Sequence, residues 1–184
     1  MSDTLTPSEL DRDDFWNTVT TRLRYERINR AIGVFHRITE QGDHQFCPIG
    51  IALDELVARG IGRWCPDPEP EEETECTFIM YIEPGDCSEG AYGTVLKATR
   101  ERIGLGRSAM IWITQANDHS QMPFDFIADS IDTMRRHGLL DKDYDSDYIA
   151  FLRDLEQARS ADSTPILLID ESSSEDASVF GADN

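Results

Sequence analysis

Cys47 stands directly before Pro48, and the run IGIALDEL that follows carries its apolar side chains at helical spacing. Proline suits the first turn of a helix, so the thiol is placed at or beside an N-cap. There the positive end of the helix dipole favours a thiolate. With a histidine base and an orienting amide or carboxylate, such a thiol is the nucleophile of a cysteine hydrolase. His119 lies downstream beside Asn117 and Asp118, in a workable chain order, which makes Cys47, His119 and Asp118 the candidate catalytic residues. The same position equally suits a small cysteine packed at a helix mouth, and no local motif marks a peptidase. The packing role is the reading adopted, with no catalytic residue assigned.

Two further constellations suggest metal chemistry. In DKDYDSDYIAFLRD, Asp143, Asp145 and Asp147 occupy positions 1, 3 and 5 of a calcium loop and Asp154 its twelfth. The sixth position, where the loop needs glycine, is Tyr148, and the twelfth is not the usual bidentate glutamate. The residues read better as the start of a helix, capped by Asp145 or Ser146, with Asp143 and Asp147 complementing its dipole. The cysteines, Cys47, Cys65, Cys76 and Cys87, contain no CxxC pair, and the four histidines are not spaced to complete a zinc site. Free, reduced cysteines are expected, with no metal and no cofactor.

Charge is the strongest global signal. Seventeen basic residues, fifteen of them arginine, stand against thirty-six acidic ones, a net charge of −19. Such a chain repels nucleic acid and anionic membrane surfaces, so neither is expected as a direct partner. The acidity has three possible origins: solvated loops and tail, adaptation to salt, or an acidic decoy that occupies the basic site of another protein. The candidate binding residues are Glu71, Glu72, Glu73 and Glu75 in the acidic loop 66–75, and Asp141, Asp143 and Asp145 farther on. No apolar run approaches the ~20 residues that span a bilayer. The N-terminal residues lack the basic and apolar regions of a secretory signal, and a cytoplasmic location is expected.

Several elements must position these groups. Thr6-Pro7-Ser8-Glu9 has the form of a capping box ahead of a helix with Phe15, Val19 and Leu23 on one face. Ile28, Ile32, Phe35 and Ile38 continue the helical pattern to a break at Gln41-Gly42-Asp43. The helix after Cys47 presents Ile49, Ala52, Leu53, Leu56 and Val57 and stops at Gly60. CTFIMYI, 76–82, reads as a strand, and Ser88 as the cap of a helix over Tyr92 to Ile103. AMIWIT, 109–114, is strand or buried helix, followed by a turn at Asn117-Asp118. Phe124, Ile127, Ile131 and Met134 mark a helix that ends at Arg135, Arg136 and His137 before Gly138. A last helix carries Ile149, Leu152, Leu155 and Ala158.

With these segments in place, GDHQFCPIGIALDEL resembles the "CCLGVLCDL" segment of an uncharacterised family of short bacteriophage and actinobacterial proteins. Gly60, Gly62 and Trp64 match its glycine-rich loop and tryptophan. Val95, Leu96 and Ile103-Gly104-Leu105 match a following "V…LGL" element, and QANDHSQMPFDFIADSID is similar to its closing "LND.G.SF.EIAD.IE" segment. The resemblance covers roughly residues 31 to 134. The family's second cysteine is Pro48 here and its later one is Leu53, which argues against a metal site built on the pair. The matching positions are Cys47, Gly50, Asp54, Asn117 and Asp118. The resemblance implies a small phage or prophage accessory protein in a host cytoplasm.

The fold expected is mostly α, with α+β as the alternative: one compact helical domain, 1–160, with one or a few short strands, and an acidic, disordered tail, 161–184. Gly50 in the first turn would allow another backbone to approach, and Asn117 or Asp118 should lie near residues 47–50 to satisfy the helix mouth. The function expected is that of a non-enzymatic acidic interaction protein. It would bind and inhibit a host protein with a basic surface, as a nucleic-acid mimic might. The alternatives are a hydrolase using Cys47 and His119, or a virion component or antidote protein.

Overall fold

A computed structural model describes residues 10–66, 74–80, 100–144 and 147–163. Helix α1 (Arg12–Tyr25) starts at Asp11, whose carboxylate accepts the N–H groups of Asp13 and Asp14, each at 3.0 Å. Arg22 and Arg24 complement the dipole in its last turn. Phe15, Val19 and Leu23 are buried as their spacing requires, and the Trp16 indole donates to the Ile103 carbonyl at 2.7 Å. The helix therefore starts after Asp11 and not after Thr6 as expected, because Asp11 supplies the cap; residues 6–9 themselves lie outside the described residues.

The helical pattern over 28–38 is overturned. These residues form β1 (Asn29–Arg30) and β2 (His36–Ile38), divided by Gly33 at φ +76°. A left-handed residue stops a helix, and the β-branched side chains around it suit extended backbone. The Gln41-Gly42-Asp43 break is a hairpin loop. Thr39 donates to the Asp43 carbonyl at 2.9 Å, and Gly42, at φ +84°, donates back to Thr39. Strand β3 (His44–Phe46) returns antiparallel to β2, with His36 opposite Phe46 and Ile38 opposite His44.

Helix α2 (Pro48–Ala58) follows with Cys47 as its N-cap, and Gly60, at φ +73°, ends it. Strand β4 (Gly62–Pro66), which was not expected, pairs antiparallel with β5 (Thr74–Met80) and places Trp64 opposite Phe78. The sheet order is β1-β3-β2-β5-β4, with β1 and β3 parallel and the other pairs antiparallel.

The remaining described elements are helices: α3 (Arg107–Asp118), α4 (Phe124–Arg136) and α5 (Tyr148–Asp162). AMIWIT is therefore helical. Asn117 and Asp118 are the last turn of α3 rather than a separate turn, because the fully buried Asn117 side chain donates to the Ala31 carbonyl at 2.8 Å and anchors the helix end. Helix α4 spans the expected stripe. Helix α5 is rotated from expectation: it buries Phe151, Leu155 and Ala158 and leaves Ile149 and Leu152 69% and 38% exposed. Phe151 takes the inward position because its ring packs between Tyr144 and Tyr148, at 5.4 and 5.8 Å. Asp147, not Asp145 or Ser146, caps the helix by accepting the Ala150 N–H. The domain is mostly helical, and helices and sheet share one core. Among the described residues no helix is long and apolar enough to cross a membrane.

Candidate functional site

Helix α2 starts against an unusually close neighbour. The Phe35 carbonyl accepts the Cys47 N–H at 3.1 Å and lies only 1.8 Å from where a Cβ on Gly50 would stand. Only glycine allows this approach, so Gly50 is a packing requirement. The approach brings the loop before β2 over the mouth of α2, and α3 closes the third side. Between them lies a cavity of 230 Å³ lined by Gly33, Val34, Phe35, Cys47, Pro48, Ile49, Met110, Thr114 and Asp118. Asp118 thus lines the same cavity as Cys47.

The cysteine is built to stay a thiol. Its Sγ accepts the Gly50 N–H at 3.3 Å, as an N-cap acceptor does. That bond and the helix mouth favour a thiolate, but the residue is 7% exposed. Burial outweighs the N–H groups and, with the nearby Asp118 charge, pushes the thiol up to about 12. His119 is exposed, follows the last residue of α3 and is not among the cavity-lining residues.

The other matched positions do different work. Asn117 holds two groups: its Nδ2 donates to the Ala31 carbonyl and, at 2.7 Å, to Asp118 Oδ1. Asp54 sits on another face of α2, where it accepts Arg22 Nη2 at 2.9 Å and Trp64 Nε1 at 3.0 Å. Trp64 in turn meets His36, with ring centroids 4.7 Å apart, and His36 stacks on Phe46 at 4.2 Å. This linked set of Arg22, Asp54, Trp64, His36 and His44 was not singled out from the sequence. The alternation in HRI and HQF, once paired as a hairpin, is the signal that would have revealed its histidines.

Of the acidic candidates, Glu71, Glu72, Glu73 and Asp145 lie outside the described residues. Glu75 is exposed on β5, 4.0 Å from Arg37, and Asp141 and Asp143 are exposed ahead of α5. Asp154 accepts the Tyr144 hydroxyl at 2.6 Å and faces Lys142 at 3.8 Å, so the twelfth position of the calcium pattern has protein partners. Among the described residues no group of three or more His, Cys, Asp and Glu side chains is arranged to hold a metal ion.

Charge is unevenly divided. The described residues carry sixteen basic and twenty acidic side chains, a balance of −4, against −19 for the chain. The other segments hold sixteen acidic residues and one lysine, a net charge of −15, chiefly in residues 67–73, 83–89 and the C-terminal run. Among the described residues many carboxylates face arginine. Arg24 bonds Asp129 and Asp132 at 2.8 and 2.6 Å, Arg135 reaches Asp13 at 3.1 Å, Arg136 bonds Asp162 at 2.6 Å, and Arg59 spans Glu55 and Asp14. Compared with family models, with curated proteins and with solved structures, the chain matches none.

Proposed function

We propose that this protein is a non-enzymatic acidic interaction protein, a phage- or prophage-type accessory factor that binds a host protein through its basic surface and inhibits it. The observation that supports the reading is the division of charge: the described residues are near balance at −4, and the remaining sequence carries a net charge of −15. Net charge of one sign speeds encounter with an oppositely charged surface and leaves its mark as salt dependence. The state of Cys47 supports the non-enzymatic half, since a buried thiol raised to about 12 supplies little nucleophile at neutral pH.

The test is capture of basic host proteins on the full chain at about 0.05 and 0.5 M salt, where screening differs severalfold in length. A variant with the acids of 67–75 and of 170–183 changed to Asn and Gln should lose the captured protein, as should the wild type at high salt. Cys47→Ala should retain it. Retention by the neutralised variant, or loss with Cys47→Ala in a folded protein, would overturn the reading.

A further inference from the structure

The cavity at the mouth of α2 joins two properties that point to one ligand chemistry. Its walls are largely apolar, formed by Val34, Phe35, Pro48, Ile49 and Met110. Its one carboxylate, Asp118, is half-buried and has no cationic partner among the described residues. That sets it apart from Asp54, Asp129, Asp132 and Asp162, each of which is held by arginine. The carboxylate is also fixed in place, because Asn117 Nδ2 donates to Oδ1 while the same nitrogen is tied to the Ala31 carbonyl. Oδ2 is left without a donor among the described residues. Ile32, which precedes Gly33 in the same loop, is 44% exposed.

We propose that this cavity receives a lysine side chain of a basic protein partner, its methylene stem against the apolar walls and its ammonium on Asp118. Lysine is the side chain that presents a flexible apolar stem and a single compact charge. Arginine matches a carboxylate best through two parallel bonds to two open oxygens, and here Asn117 takes one lone pair of Oδ1, which leaves Oδ2 as the open acceptor for a single compact charge. A side chain inserted in a preformed pocket is the usual form of an interface anchor. The proposal rests on the reading of the protein as a binder of basic partners, and it adds a specific seat to a long-range attraction.

The experiment uses n-butylammonium as the stem and charge of lysine, n-butanol as its neutral counterpart and n-butylguanidinium as the arginine analogue. Binding is followed by amide shifts of residues 33–35, 47–50 and 114–118 in the full chain. Butylammonium should give saturable shifts there, with butanol at least about tenfold weaker, the size of a modest charge contribution. Asp118→Asn should lose the same factor. Met110→Trp, which fills the cavity and keeps the carboxylate, should also block binding; unchanged peaks elsewhere report that each variant is folded. Equal binding of butylammonium and butanol, an unaffected Asp118→Asn, or butylguanidinium binding tenfold tighter would overturn the proposal. Retention on poly-L-arginine at low salt, measured in parallel, separates the two readings. If retention persists while butylammonium fails, the lysine seat is wrong and the charge-driven function stands; if retention fails while butylammonium binds, the function falls.

Discussion

His36 and His44 meet diagonally across the β2–β3 hairpin, with His36 Nε2 and His44 Nδ1 2.8 Å apart. One ring nitrogen must donate and the other accept, so the contact holds a single proton between the two atoms. His36 is 2% exposed, and its Nδ1 is buried with no hydrogen-bond partner. The other groups that bear on it are Asp54 of α2, itself bound to Arg22, and the rings of Phe46 and Trp64.

The pair makes the fold sensitive to acid. Burial, then the neighbouring His44, lowers His36 to about 4, with Asp54 opposing. In the unfolded chain a histidine titrates near 6.5. As pH falls, the unfolded state therefore takes up this proton first, and stability rises with pH across that window. The contribution is complete above about 6.5 and is lost as pH approaches 4, amounting to about 3 kcal/mol. His36→Phe keeps the stacking and removes the titration. Urea denaturation at pH 4.5 and 7 should show a smaller pH difference in the variant than in the wild type. Equal differences would refute the role.

Cys47 should resist alkylation. The protonated thiol of a residue only 7% exposed reacts slowly, so iodoacetamide at pH 8 should label half-buried Cys65 well before Cys47. Peptide mapping follows the two sites separately. Full labelling of Cys47 in urea, with protection in the native protein, is the expected pattern. Native labelling of Cys47 at the rate of an open thiol would count against the buried, protonated state.

Gly50 and Gly33 should respond differently to alanine. At Gly50 the new Cβ would sit 1.8 Å from the Phe35 carbonyl oxygen, and backbone must move. A loss of about 3 kcal/mol or more is expected, at the upper end for overpacking. At Gly33 nothing lies within 4 Å, and only the positive φ of +76° opposes a side chain. Gly33→Ala should cost about 1–2 kcal/mol. Thermal melts of both variants check the ranking, and equal losses would contradict it.

Asp54 should matter to stability and not to partner binding. Asp54→Ala removes the acceptor for Arg22 and for the Trp64 indole at once. Leaving two half-buried donors without it should cost about 2 kcal/mol and change tryptophan emission. Asp54→Asn, which keeps one oxygen, should lose less. Altered capture of a basic partner at unchanged fold would show that Asp54 belongs to the binding face.

The start of α2 was legible because its punctuation is local. Pro48 fixes the first turn, Cys47 falls at the cap and Gly60 ends the helix, and the structure has each in that role. Asp118 shares a cavity with Cys47 as expected, but not for the expected reason: the Cys47 sulfur accepts the Gly50 N–H at the helix mouth, and the Asp118 carboxylate is held by Asn117 instead. Residues 28–38 misled for a physical reason. Ile28, Ile32, Phe35 and Ile38 satisfy a helical face, but only Ile38 falls in a strand, and the partners that make strands of residues 29–30 and 36–38, β3 and β5, are supplied by other parts of the chain. Helix α5 misled by one step of rotation, since Phe151 could seat its ring between Tyr144 and Tyr148 only by turning Ile149 outward. The Arg22–Asp54–Trp64–His36 set comes from four elements, and no local pattern encodes it.

The contact between Gly50 and Phe35 has a bearing on selectivity. With a carbonyl occupying the room where a side chain would begin, the loop wall cannot slide along α2 without dislodging the helix end. The recess is thus moulded before anything arrives, and little freedom is surrendered on filling it. A seat of 230 Å³ fixed in this way holds its outline as it is filled.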